Sequence, residues 1–218
     1  MFVGHLAVSL EAKAVEPRAS LGALVAASFG LDLVWSILVL VGLETVSVAP
    51  GTTAFTPLAF DSYPWSHSLL MAGVWGAAAG SIMYWTSKSP RVAVLVVMVV
   101  LSHWLLDFAT HRADLPLWPG GSKYGMGLWN SIPATIIVEG GLFVAAIAMY
   151  IRAFKSCDAI GKWAFWALVV LTGAIWITQP WSPPPPSSSA VAAVALAMFV
   201  FPLWAAWIDR HRSTDSTV

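Results

Sequence analysis

The chain is expected to fold as an all-α, polytopic membrane helix bundle of about six transmembrane helices, and three observations carry this. The 218 residues are 58% hydrophobic and only 10% charged, a balance foreign to a soluble domain of this size. Apolar runs of roughly 20 residues, the length that crosses a bilayer, recur at about 20–43, 67–86, 91–110, 132–151, 162–179 and 189–208. The cations also sort by loop. Lys13 and Arg18 precede the first run, and Lys88 and Arg91 separate the second and third. Arg152, Lys155 and Lys162 separate the fourth and fifth, and Arg210 and Arg212 follow the sixth. The alternate loops hold only Arg112 and Lys123. By the positive-inside rule both termini are expected on the cytoplasmic face of the inner membrane. Formal net charge is zero, so no basic surface points to a nucleic-acid partner. Cys157 is the single cysteine, which excludes an intrachain disulfide. The first residues lack a basic start and are interrupted by Glu11, Lys13 and Glu16, so no cleaved signal peptide is expected.

The elements follow in order. Residues 2–15 place Phe2, Val3, Leu6, Leu10 and Ala14 near helical spacing and stop at Pro17. Too short to span, this segment reads either as an amphipathic helix on the inner surface or as a half-helix that turns back into the first span. That span carries Asp32. The second opens on YPWSHSLL with His67, and its Gly73, Gly76 and Gly80 suit close helix packing. The third ends in SHWLLDFATHR, where His103, Asp107 and His111 fall at i, i+4 and i+8 on one helix face. The fourth begins with Ser131 as N-cap and Pro133 in the first turn, and carries Glu139. QPWSPPPPSSS reads as a stiff connector between the fifth and sixth spans. Those two have no titratable residue in their interiors and read as packing or homo-oligomer-forming helices. The expected organisation is a metal-site core over 1–150 and two accessory transmembrane helices over 151–218.

Ionisable residues inside spans are costly and mark function. At about 1.5 Å of rise per residue, Asp32, His103, Asp107 and Glu139 lie about 18–24 Å from the inner boundary, counted from Arg18, Arg91 and Arg152. His5 joins that level if residues 2–15 form a half-helix ending at Pro17. Imidazole and carboxylate at i and i+4 can reach one ion, and a mixed nitrogen and oxygen set suits zinc, manganese or iron better than calcium. Taken alone, His103 and Asp107 would equally suit an internal hydrogen-bonded pair, and His111 an interfacial histidine.

GHLAVSL, FGLDLVW, YPWSHSLL and SHWLLDF followed by LPLWPGG resemble, over residues 1 to about 150, the YdjM-like family of membrane-bound metal-dependent hydrolases. More distantly, the HxxxD element is similar to that of the zinc-dependent phospholipase C and S1/P1 nuclease group, which cleaves phosphate esters. The resemblance implies a centre of one or two divalent ions, zinc foremost, with His5, Asp32, His67, His103 and Asp107 as ligands. It also favours the N-terminal hairpin, which lets His5 approach Asp32. The function expected is hydrolysis of a phosphate ester or lipid-linked substrate in the outer half of the bilayer. Glu139 is the candidate general base or the orienter of a ligand histidine. His111 is a further ligand or the acid, and Arg112 and Lys123 are candidates to hold a phosphate. The competing function is metal or proton transport, or ion binding without chemistry.

Overall fold

The computed structural model describes residues 1–214 and is predominantly helical. The chain runs α1 (Val3–Val15), α2 (Leu21–Ser28), α3 (Gly30–Leu40), β1 (Thr45–Val48), β2 (Leu58–Ser62), α4 (Pro64–His67), α5 (Leu69–Ser87) and α6 (Pro90–Thr110). It continues through β3 (Leu115–Pro116), β4 (Lys123–Tyr124), α7 (Ile132–Ala153), β5 (Lys155–Ser156), α8 (Ala159–Thr178), α9 (Ser188–Ala197), α10 (Val200–Asp209) and β6 (Arg212–Ser213). Helices begin where the sequence supplies an acceptor. The side chains of Ser20, Ser68, Ser89, Ser131, Asp158 and Ser187 each accept the backbone N–H three residues on, the cap expected at Ser131 among them.

Among the described residues, four helices are long and apolar enough to cross a membrane: Pro90–Thr110, Ile132–Ala153, Ala159–Trp181 and Ser188–Asp209. The pair α2 and α3 makes a fifth if its arms count as one span, but it bends by 50°. Length and apolarity therefore support fewer than the expected six. Helix α5, on the second apolar run, has 19 residues, but its Gly, Ser, Thr, Trp and Tyr content dilutes its apolarity. The long helices expose Val94, Met98, Leu105, Ile137, Val144, Val170 and Leu203, apolar side chains of the kind lipid would cover. The chain is also not purely helical. Antiparallel two-stranded ribbons β1–β2, β3–β4 and β5–β6 clip the loops together.

Helix α1 is buried on both sides, with Val3, His5, Leu6, Ser9, Leu10 and Lys13 all enclosed. It packs against α7, α2 and α6, so it does not lie on a membrane surface. Its 13 residues rise about 20 Å, against the roughly 30 Å of a hydrocarbon core. The half-helix turns back through residues 16–20, where the Ala19 N–H donates to the Glu16 carbonyl, and α2 packs beside it. Glu16 also accepts from Arg18 and pairs with Arg91 at the start of α6. These contacts, the Arg18 hydrogen bond foremost, hold the Glu16 carboxyl down at about 2. A depressed folded-state value contributes stability above the unfolded value near 4.5, lost as pH falls toward 2. Thermal melts of the wild type should therefore fall across that window, and Glu16→Gln should flatten the decline. Both arginines are exposed, so added salt should shrink the difference.

The segment expected to be accessory is latched to this hairpin. Helix α10 packs on α2 and α9 on α3. The buried Lys13 ammonium donates to the Pro17 and Ala19 carbonyls at 2.9 Å and pairs with Asp209 Oδ1 at 2.8 Å. The other Asp209 oxygen accepts the Leu21 N–H. Arg212 is likewise buried and donates to the carbonyls of Phe154 and Gly161. Lys13 and Arg212, counted above among loop cations, thus serve packing. Asp209→Ala should cost about 2 kcal/mol, less than the 3–5 of a fully enclosed pair because Asp209 keeps some exposure. Thermal unfolding in detergent would check it, and the double replacement of Lys13 and Asp209 by apolar residues should recover much of the loss.

The break between α9 and α10 follows from Pro202. Without an N–H it cannot continue the ladder, and the Met198 carbonyl takes the Phe201 N–H instead.

Candidate metal centre

Four elements deliver the site. Helix α3 starts at Gly30 after the bend, which puts Asp32 in its first turn, where the helix dipole favours a carboxylate. The bend also supplies an acceptor, since the Ser28 carbonyl takes the Nδ1–H of His103 at 2.7 Å. In YPWSHSLL, Pro64 opens the single-turn α4 and Ser68 caps α5, so the chain turns sharply beside His67. His103 and Asp107 share the buried face of α6. His5 comes from α1, with its ring stacked on His103 at 3.7 Å between centroids.

The structure brings His5, Asp32, His67, His103 and Asp107 together. His67 Nε2 lies 3.2 Å from His103 Nε2, 3.5 Å from Asp32 Oδ1 and 3.7 Å from Asp107 Oδ2. His103 Nε2 lies 3.1 Å from Asp107 Oδ2 and 3.8 Å from Asp32 Oδ1. His5 Nε2 faces the other Asp107 oxygen at 3.2 Å, which the Met1 amino group also contacts. Two overlapping triads result, His5–His103–Asp107 and Asp32–His67–His103, and either could hold a metal ion.

The hydrogen bonds define the tautomers. A carbonyl only accepts, so His103 carries a proton on Nδ1, and as a neutral imidazole it presents a bare Nε2. His67 Nδ1 lies 2.7 Å from Ser66 Oγ, whose single hydrogen is committed to Glu44 Oε2 at 2.6 Å. Ser66 must therefore accept from His67 Nδ1–H, and His67 Nε2 is bare as well. As neutral rings the two would set imidazole lone pairs against each other at 3.2 Å between two carboxylates, an arrangement that repels itself unless a proton or a metal ion lies among the four donors. Donors at about 2.0–2.1 Å from a tetrahedral ion stand about 3.3 Å apart, close to the separations found. His5 adds a second sign. It is buried with Nδ1 unpartnered, and Nε2 has only the Asp107 oxygen at 3.2 Å beside it.

The other expected site residues lie apart from this group. Glu139 is fully buried on α7, and its Oε1 accepts the N–H groups of Phe2 and Gly4 at 2.7 and 3.2 Å. It caps the start of α1. His111 is the C-cap of α6 with extended backbone, so its side chain leaves the stripe of His103 and Asp107. It packs against Phe60 and Trp129 and meets Asp114 at 3.1 Å and the Tyr63 hydroxyl at 3.3 Å. Burial raises the Asp114 carboxyl, but its bonds from His111, Tyr63 and Arg112 outweigh that and hold it below the usual range. Arg112 reaches the same carboxylate from an exposed position, and Lys123 donates to the Asp61 carbonyl on the surface. Sequence reasoning missed Glu44, Ser66, Tyr63 and Asp114. Ser66 adjoins His67 and could have been suspected. Glu44 is 22 residues from Ser66 and carried no signal.

No family model, curated protein or solved structure matches the chain.

Proposed function

We propose that the chain is a membrane-embedded, metal-dependent hydrolase of a phosphate ester or lipid-linked substrate, akin to the YdjM-like hydrolases it resembles. The observation that carries this reading is the pair of Nε2 atoms 3.2 Å apart between Asp32 and Asp107, on rings whose Nδ1 atoms are engaged elsewhere. Asp32, His67, His103 and Asp107 would hold one ion; His103 offers a single free nitrogen, so a second ion would rest on His5 and the other Asp107 oxygen. The donor set favours zinc over manganese or iron. A bound ion would supply Lewis acidity, lowering the pKa of its water toward neutrality and polarising the scissile bond.

The protein's own residues orient that chemistry. The Ser28 carbonyl and Ser66 set the ring protons of His103 and His67, and Glu139 seats the α1 helix that bears His5. Asp32 is one-quarter exposed while the other four candidate ligands are enclosed, so substrate approaches past α3. Arg112 and Lys123 receive its anionic group at the outer loops. Counting the bent pair and α5, the proposed topology has six spans, both termini cytoplasmic and the site in the outer half of the inner membrane.

Protein purified in detergent without chelator should contain one or two zinc ions per chain by elemental analysis, and should release phosphate from a lipid phosphate monoester until a chelator is added. Metal-free protein with no uptake of added zinc would sink the reading. One observation favours ion transport instead: the α2–α3 pair is bent by 50° next to Asp32, and discontinuous helices beside a polar site are a transporter feature. Zinc flux into proteoliposomes, dependent on Asp32 and absent any phosphate release, would favour that reading.

A further inference from the structure

Glu44 lies just past α3 at the start of β1, 1% exposed, with its backbone N–H bonded to the Leu38 carbonyl. All its side-chain hydrogen bonds converge on the two residues before His67. Oε1 accepts the N–H groups of Trp65 at 2.8 Å and Ser66 at 2.9 Å, and Oε2 accepts the Ser66 hydroxyl at 2.6 Å. Ser66 is fully buried and in turn accepts from His67 Nδ1 at 2.7 Å. A carboxylate is enclosed at a cost unless its lone pairs are taken up, and here they are taken up by the backbone and hydroxyl that support a candidate ligand.

We infer that Glu44, acting through Ser66, is a positioning residue that sets the tautomer and basicity of His67 as a metal ligand. The inference rests on the metal reading above. The relay is polarised in one direction only. Glu44 has no hydrogen to give, so the Ser66 hydrogen points to it, the His67 hydrogen points to Ser66, and Nε2 is left bare toward Asp32, Asp107 and His103. In Glu44→Gln the amide oxygen can still accept from Trp65 and Ser66, but its NH₂ faces Ser66 Oγ as a donor. The serine hydrogen then turns to His67 Nδ1, and the ring proton moves to Nε2, where it blocks the ligand position.

The test uses the full chain in detergent with zinc alone as the probe. Chelator competition should show Glu44→Gln and Ser66→Ala binding zinc about 10- to 100-fold more weakly than wild type, with Ser66→Thr, which restores the hydroxyl, within about threefold. Cobalt substitution should show altered visible absorption in the first two variants and the wild-type spectrum in the third. Nitrogen-15 spectra of the metal-free protein should place the His67 proton on Nδ1 in wild type and on Nε2 in Glu44→Gln, a readout that a purely structural role for Glu44 would leave unmoved. Should Ser66→Ala fail to fold, Glu44→Gln and Ser66→Thr carry the comparison. Wild-type zinc affinity and cobalt spectrum in Glu44→Gln would overturn the relay alone. A wild type that takes up no zinc would overturn the metal reading and the relay with it.

Discussion

Replacement of His103 by alanine is expected to lower zinc affinity by more than a hundredfold while the bundle stays folded. His103 belongs to both triads and is the one imidazole that stacks on His5, faces His67 and contacts Asp107. Loss of a group that only supports a ligand typically weakens metal binding 10- to 100-fold, and removal of the ligand itself must exceed that. Helix α6 should survive because alanine has the highest helix propensity. The stability cost is the enclosed void plus a Ser28 carbonyl left without its partner, about 1–3 kcal/mol for the latter. Asp107→Asn should give a comparable loss of affinity with less structural disturbance, because it removes charge and keeps shape. Chelator competition and circular dichroism on both variants check the expectation. Zinc affinity within about threefold of wild type in either would remove the centre from these residues.

The second large effect falls on Glu139. Glu139→Ala is expected to destabilise the protein by about 3 kcal/mol or more, because two N–H groups in the first turn of α1 lose a charged acceptor inside the protein. Since α1 carries His5, zinc binding should weaken with it. Glu139→Gln keeps an amide oxygen for Phe2 and Gly4, so its α1 should stay seated, its zinc affinity should stay within a few-fold and phosphate release should persist. A general base would behave otherwise, leaving Glu139→Gln folded and metal-loaded but inactive. Thermal unfolding, chelator competition and phosphate release on the two variants separate these roles.

Counting depth placed His103 and Asp107 because the unbroken α6 converts residue number into height; Asp32 meets them although its segment bends by 50°. His5 met them because α1 is a half-helix that rises inside the bundle. The same count put Glu139 at that level, but depth carries no azimuth, and its carboxylate faces the end of α1 instead of the histidines. The i, i+8 spacing put His111 on the stripe as if α6 continued. The helix stops at Thr110, and the ring turns to Tyr63 and Asp114. Gly80 packs against Ala93 and Val97 with no room for a side chain, as the glycine spacing in α5 implied, whereas Gly73 faces open space.

By itself the sequence determined the local quantities: that the chain is helical with apolar segments fit for a membrane, where serine and proline start helices, and that His103 and Asp107 share one helix face. These depend on neighbours within a few turns. Only the tertiary structure decided the rest. Segments far apart in the chain had to meet before the α2–α3 bend could offer a carbonyl to His103, before Glu44 could reach Ser66, and before Lys13 could be enclosed with Asp209. The direction of each ring proton follows from those long-range contacts. The two facing Nε2 atoms that join SHWLLDF and YPWSHSLL in one candidate site are therefore a property of packing.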